Sequence, residues 1–289
     1  MQPNIRLHIF FAKFSLILYN IFNLIVEERR YFMGEYNPTV GLALGAGGAR
    51  GLAHVGVLKV LEEENINIDL IAGTSMGSIV GGFYAAGIPI KYMEKIALEL
   101  DWDNLSDITF PRTGLIKGDK ILKFIEILTQ NKDFSELNIP FSAIACDIEK
   151  GEHVVLDEGS VARAIRSSIA IPGIFVPFKH KDRKLVDGAV LDRVPVSTVR
   201  QMGADIIIAV DIRVNEVNNK INNIFDVLFN TFDIMQYEFQ RLKDLGADIT
   251  IKPNLEEIDT LDLKNTEKCV KEGYKEAVKH IDDIRKIVK

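Results

Sequence analysis

Thr39-Val40-Gly41-Leu42-Ala43-Leu44-Gly45-Ala46-Gly47-Gly48-Ala49-Arg50-Gly51-Leu52 is the stretch on which the reading of this chain turns. Its first six residues form an apolar run of strand length, and the glycine-rich turn Gly45 to Gly51 ends that run. Leu52, Val55, Leu58 and Leu61 then recur every three residues, which draws one apolar stripe along a helix. Glu62, Glu63 and Glu64 fall at the solvated end of that helix. Outward from this unit, Asp69-Leu70-Ile71-Ala72 reads as a second short strand, and Gly73-Thr74-Ser75-Met76-Gly77 turns it sharply into a helix that runs through Ala86. Short apolar strands alternating with helical patterns predict an α/β protein whose mostly parallel sheet is covered by helices on both faces. Further strands are expected at Phe141 to Cys146, His153 to Leu156, Lys184 to Val186 and Asp205 to Val210, with helices between them. Ile206-Ile207-Ile208-Ala209-Val210 is apolar at every position, as a central parallel strand must be.

A length of 289 residues with 47% hydrophobic and 26% charged composition suits one substantial core, hence one catalytic-sized domain. The formal charge of -6, from 35 basic and 41 acidic side chains with no Lys/Arg run, argues against nucleic acid as a partner. Cys146 and Cys269 lie far apart, and Cys146 sits in an apolar run, so a buried thiol in a reducing, cytoplasmic compartment is expected rather than a disulfide. His8, His54, His153, His180 and His280 show no zinc-ligand spacing, and no metal or other cofactor is expected. Residues 1–33 stand apart from a catalytic domain over residues 34–289. Leu7 to Val26 is apolar over roughly a membrane's thickness, but Lys13, Asn20 and Asn23 interrupt it. Three readings stay open for it: a membrane span, a segment lying along a membrane surface, or an extension that is not translated because synthesis begins at Met33.

Two motifs carry chemistry. Gly73-Thr74-Ser75-Met76-Gly77 fits G-x-S-x-G, in which small flanking residues let a serine occupy a tight strand-to-helix turn with its hydroxyl projecting above the sheet. The loop Gly45 to Gly51 offers backbone N–H groups at a helix start, a cradle for negative charge. A phosphate would suit such a cradle, yet the spacing Gly45-x-Gly47-x-x-Arg50 lacks the third glycine of a dinucleotide fingerprint, and no G-x-x-x-x-G-K-[ST] occurs. With a serine turn on the next strand, the oxyanion of a tetrahedral acyl intermediate is the better occupant. A base must then activate Ser75. His280 falls in a terminal helical pattern and suits a triad poorly. Asp187, in Leu185-Val186-Asp187-Gly188-Ala189, ends an apolar strand, so its carboxylate could reach the sheet's C-terminal edge. Asp147 and Asp211 also stand at strand ends, and from the residues alone the three share the assignment.

In these motifs the chain, from about Val40 to its C-terminal helix, resembles the patatin-like phospholipases, specifically the small bacterial single-domain kind. The glycine-rich loop, the serine pentapeptide, Asp187-Gly188-Ala189 and Ser167-Ser168-Ile169-Ala170-Ile171-Pro172-Gly173 agree with that family in order and context. The loop reads Ala46-Gly47-Gly48 where plant members carry three consecutive glycines. The resemblance implies a three-layer patatin-like fold and a lipid or lysophospholipid substrate. It implies Ser75 as nucleophile, Asp187 as general base, and N–H groups of Gly47, Gly48 and Arg50 as the oxyanion hole. Gly45, Gly51, Gly73, Gly77, Gly188 and Ala189 support these motifs, and the first 33 or so residues are not covered. G-x-S-x-G does not separate water from an alcohol or thiol as acceptor, so an acyltransferase or thioesterase is the rival enzyme, and a non-catalytic lipid-binding protein the rival from another class. Other residues carry paired readings. Arg50 could orient an anionic head group or make a structural ion pair, and His54 is expected to be a packed polar residue. Ile224, Phe225, Leu228, Phe229, Phe232, Met235 and Phe239 could pack in the core, line an acyl groove or meet a bilayer as a peripheral contact. Asp101 to Asp119 reads as a connecting loop or a mobile flap.

Overall fold

The computed structural model describes residues 37–99, 105, 107–108, 113–213, 227, 230–231, 234–235, 238, 246–258 and 265–289. The apolar stretch Leu7 to Val26, all but Met235 of the Ile224 to Phe239 series, and much of the stretch 101–112 lie outside them. Among the described residues no helix is long and apolar enough to cross a membrane.

Strand β1 (Val40–Leu44) leads through a 3-10 turn (Gly48–Leu52) into α1 (Ala53–Glu63). The expected apolar stripe is the inner side of this unit: Leu52, Val55, Leu58 and Leu61 are all buried. Strand β2 (Leu70–Thr74) runs into α2 (Met76–Ala85), and α3 (Ile90–Glu99), β3 (Gly114–Ile116) and α4 (Asp119–Leu128) follow. Next come β4 (Phe141–Asp147), β5 (Glu152–Leu156), α5 (Val161–Ser168), β6 (Gly173–Phe175), β7 (Phe178–His180) and β8 (Arg183–Asp187). The chain continues with α6 (Val196–Gln201), β9 (Ile206–Val210), β10 (Ile249–Ile251) and α7 (Thr266–Ile287).

The main sheet has eight strands in the order β10-β9-β1-β2-β4-β8-β7, with β5 also on β4. The first five in that order are mutually parallel. Alternation assigns the faces: Val40, Leu42, Leu44, Ile208 and Val210 join one cluster with α1, α2, α5 and α7, while Ala43, Ile207 and Ala209 join Val196 and Val199 of α6 on the other. Both faces are therefore covered, and β1, β2 and β9 are buried at every position, as strands between two helical layers must be.

The remaining strands form the antiparallel part of this mostly parallel sheet, and their direction matters for the site. β5 and β8 pair with β4 antiparallel, and β7 pairs antiparallel with β8. Ala143 and Ile144 pair with both β2 and β5, so those two strands flank opposite sides of β4. Ala145, Cys146 and Asp147 pair with both β5 and β8, so β8 lies on the side that β2 has just vacated. Strands β2 and β8 thus approach one another head-on along one flank of β4.

Candidate active site

At the end of β2 the register Thr74↔Ile144, carried one residue further, would set Ser75 against Ala145. The chain turns away there instead. Ser75 takes φ 55° and ψ −122°, a conformation that few side-chain-bearing residues adopt and that marks stored backbone strain. The flanking glycines show what the turn demands. A Cβ on Gly73 would stand 2.3 Å from the Gly77 carbonyl oxygen, and one on Gly77 would stand 2.2 Å from the Leu44 carbonyl oxygen. Ser75 immediately precedes α2, and its own N–H donates to Ser168 Oγ at 2.9 Å.

The slot beside Ala145 is taken by Asp187, the last residue of β8. The sequence pattern has the Asp187 carboxylate reach the sheet's C-terminal edge beside the serine turn; β8 brings it there by running antiparallel to β4 and meeting the end of β2 head-on. It must then leave at once, because Thr74 holds the next slot, and a Cβ on Gly188 would stand 2.4 Å from the Ile144 carbonyl oxygen. Asp187 Oδ1 accepts the Ala189 N–H at 2.9 Å as the chain enters a 3-10 turn. Ser75 and Asp187 are both buried. Burial pushes the Asp187 carboxyl up to about 6, against the opposing pull of the neighbouring Ser75 side chain, the Ala189 hydrogen bond and the Arg193 charge.

The glycine loop lies against the same turn. Gly45 N–H donates to Val210 O at 3.0 Å and Ala46 N–H to Arg193 O at 2.9 Å, which anchor the loop's start to β9 and to the segment after Asp187. Gly48 has φ 54°, so a left-handed residue opens the 3-10 turn. Among the described residues no acceptor is paired with the Gly47 or Gly48 N–H. Gly51 packs on Met76, since a Cβ there would lie 2.3 Å from Met76 Cγ, so loop and serine turn are in direct contact.

The other candidates separate cleanly. The Arg50 side chain is buried and its Nε donates to the Ile258 carbonyl at 2.6 Å, so it ties the loop to the segment after β10 and is not presented to a head group. His54 is fully buried with Nε2 2.7 Å from the Gly45 carbonyl, and burial lowers its pKa to about 4 despite that bond and the Asp211 charge. A neutral imidazole donating from Nε2 therefore braces the loop. Asp147 Oδ1 accepts the N–H groups of Glu149 and Lys150 in its own turn. Asp211 is gripped by Arg213; burial would raise its pKa, but the Arg213 bonds and the Arg213 and Arg193 charges outweigh it and hold the group below the usual range. His280 is half-exposed on α7 and lies 3.6 Å from Glu276. Neither cysteine is in a disulfide, and both are buried. Among the described residues no cluster of three or more His, Cys, Asp or Glu side chains could hold a metal ion. In the 101–119 stretch, Asp107 accepts the Gly118 and Asp119 N–H groups at 2.6 and 2.8 Å and so caps α4, while β3 pairs with β6.

Two neighbours of the site are not signalled by the sequence. Ser168 stands there only as part of a matching segment, and nothing says that its hydroxyl receives the Ser75 N–H. Ala145 gives no signal, because small residues in apolar strands are common.

The profile of the family described as patatin-like phospholipase matches residues 42–200. An uncharacterised NTE family protein of Mycobacterium bovis is 38% identical over 185 residues, which are 63% of this chain and 51% of that protein. A lysophospholipase NTE1 of Scheffersomyces stipitis is 33% identical over 210 residues, 68% of this chain and 14% of that protein. This chain thus matches about half of the first relative and a small part of the second. Among solved structures, VipD from Legionella pneumophila shares the fold, with a TM-score of 0.64 at 14% identity over 86% of this chain and 67% of that one. With the family profile spanning more than half of its residues and the serine turn, aspartate and glycine loop all inside the matched range, the chain belongs to the patatin-like phospholipase family.

Proposed function

We propose that the chain is a serine acyl hydrolase that cleaves carboxylic esters of lipids, in the manner of a phospholipase A or lysophospholipase, with residues 34–289 as its catalytic domain. Ser75 Oγ attacks the ester carbonyl and Asp187 takes the hydroxyl proton. N–H groups of Gly47, Gly48 and Arg50 receive the developing oxyanion. Collapse of the tetrahedral intermediate expels the alcohol or lysolipid with the proton returned from Asp187, and water then resolves the acyl-enzyme by the same steps.

The observation that carries the reading is the strained Ser75 turn, set where β2 and β8 meet beside Ala145, next to the buried carboxylate of Asp187. An ordinary aspartate is a poor base toward an alcohol, with a pKa of about 3.9. An Asp187 raised to about 6 is a stronger base that is still mostly ionised at neutral pH. Fatty-acid release from phosphatidylcholine, lysophosphatidylcholine and acyl-CoA by the wild type and Ser75→Ala tests the proposal. Release from at least one glycerolipid is expected, with a loss of at least about 10³-fold in the variant. Equal release by both proteins, or no labelling of Ser75 by a fluorophosphonate probe, would overturn it.

A further inference from the structure

Ser75 and Asp187 give their backbone N–H groups to the same short segment. The Ser75 N–H donates to Ser168 Oγ at 2.9 Å, and the Asp187 N–H donates to the Ala170 carbonyl at 3.0 Å. Residues 168–170 close α5 and begin the turn towards β6, so whatever seats this end of α5 seats both residues. Two positions before Ser168, the side chain of Arg166 is among the largest that the fold buries completely. Its Nε donates to the Gly118 carbonyl at 3.1 Å, and its Nη2 donates to the carbonyls of Lys117 at 2.7 Å and Val176 at 3.2 Å. The rings of Phe175 and Phe178 lie with their centroids 5.0 and 5.6 Å from the guanidinium carbon. These acceptors sit at the exits of the paired strands β3 and β6: Lys117 and Gly118 lead from β3 into α4, and Val176 follows β6. Asp107 holds the same turn from its other side, through the Gly118 and Asp119 N–H groups.

We propose that Arg166 is a positioning residue for Ser75 and Asp187: it locks the end of α5 to the β3–α4 turn and to the exit of β6, and so fixes the two acceptors, Ser168 Oγ and Ala170 O, on which both backbones hang. Its consequence for turnover rests on the hydrolase reading above. Arg166 itself makes no hydrogen bond to either residue and acts only through the segment it holds. The fit around it is close. Gly118 has φ 78°, and a Cβ there would stand 2.2 Å from Arg166 Nε, so a side chain at 118 and the guanidinium exclude one another. Burial lowers the Arg166 pKa to about 10, against the pull of the Asp107 and Asp119 charges, and the group remains a cation at neutral pH. A cation taken out of water is a poor source of stability. What the guanidinium supplies is direction, because its planar fork spans three carbonyls from two nitrogens, which the single nitrogen of a lysine does not reproduce.

Arg166→Lys, which keeps the charge and loses the fork, tests this in the full chain, with circular dichroism confirming the fold. With a p-nitrophenyl ester its kcat is expected to fall by about 10²-fold at nearly unchanged KM, the scale of a displacement of about 1 Å in a positioned group. Combined with Ser168→Ala, the loss should fall well short of the product of the two separate losses, since both act through one hydrogen bond. Losses that multiply, or an unchanged kcat in folded Arg166→Lys, would overturn the proposal. Gly118→Ala displaces the guanidinium from the opposite side and carries the same test should Arg166→Lys not fold. Amide hydrogen exchange separates this inference from the one beneath it. Arg166→Lys is expected to speed exchange of the Ser75 and Asp187 N–H groups and to leave the amides of β9 as in the wild type. If the wild type cleaves no ester but this pattern is seen, the positioning stands and the hydrolase reading falls. If exchange at Ser75 and Asp187 is unaltered, the proposal falls whatever the wild type cleaves.

Discussion

A buried carboxylate raised from its ordinary range is held at a cost to stability, and Asp187 lets that cost be measured. Its folded-state pKa, about 6, exceeds the ordinary value of 3.8, so the native state binds the proton more tightly than the unfolded chain does. Below about 3.8 both states are protonated and the group contributes nothing; between 3.8 and about 6 stability falls as pH rises; above about 6 the full burden remains. At about 1.4 kcal/mol per pH unit this is of order 3 kcal/mol. Asp187→Asn is therefore expected to lose turnover yet to unfold at a higher temperature than the wild type at pH 8, with the advantage vanishing near pH 4. Calorimetry at the two pH values checks it, and an equal advantage at both would show that ionisation is not the cause. The wild-type kcat/KM should in turn rise with pH through about 6 and then level, as a base needed in its ionised form requires. Ser168 acts on the other partner: its hydroxyl receives the N–H of a residue held at φ 55°. Ser168→Ala leaves that buried donor unpaired and is expected to lower unfolding stability by about 1–3 kcal/mol, with a fall in kcat at similar KM. Unaltered stability in a denaturant titration would mean that the hydroxyl is not the acceptor that matters.

Among the elements, α1 carries the glycine loop on its N-terminal end, so what seats α1 also seats the loop. Helix α7 crosses it through paired glycines: a Cβ on Gly273 would stand 2.0 Å from the Ala53 carbonyl oxygen, and one on Gly56 would stand 2.0 Å from the Val270 carbonyl oxygen. Gly273→Ala forces the two backbones apart and is expected to cost about 1–3 kcal/mol, as overpacking does. Val278→Ala, on the exposed side of the same helix, should stay within about 0.5 kcal/mol of the wild type. Comparable unfolding midpoints for the two variants would argue against close helix packing. This contact also marks where sequence reading stops. The span from Thr39 to Ala86 is legible because its signals are local: an apolar run, a glycine turn, a three-residue stripe and a serine between glycines. The isolated glycines at 56 and 273 carry no such signal, since each makes sense only when the other helix is present. The direction of β8 is hidden for the same reason: Leu185-Val186-Asp187 reads as a strand either way, and only pairing with β4 decides which end it presents.

Over the whole molecule, the site exists because one flank of β4 is shared between two strands of opposite sense. β2 occupies it as far as Ile144 and departs at Ser75; β8 occupies it from Asp147 down to Ala145 and stops at Asp187. A fully parallel sheet would have sent both chain ends the same way and set hydroxyl and carboxylate side by side on laterally spaced strands, about 4.8 Å or more apart at the backbone, instead of end to end on one flank. The residue that both ends share is Ala145, fully buried and paired with Asp187, so its side chain lies on the same face and Cβ atoms in such pairs are about 4.5–5.5 Å apart. A larger side chain there has to push on the carboxylate, because the helices over this face leave it no other room. Ala145→Leu is expected to cost about 1–3 kcal/mol of stability. Its effect on esterase turnover should be far larger, about 10²-fold, since a displacement of about 1 Å in a positioned group is worth that much. Cys146→Val, one residue along, points to the opposite face and should keep turnover near the wild-type value while testing the same strand. Steady-state kinetics with a p-nitrophenyl ester, set beside thermal unfolding of both variants, distinguishes the two effects. If Ala145→Leu folds and turns over as the wild type does, the meeting of β2 and β8 beside Ala145 is not what holds Ser75 and Asp187 in register.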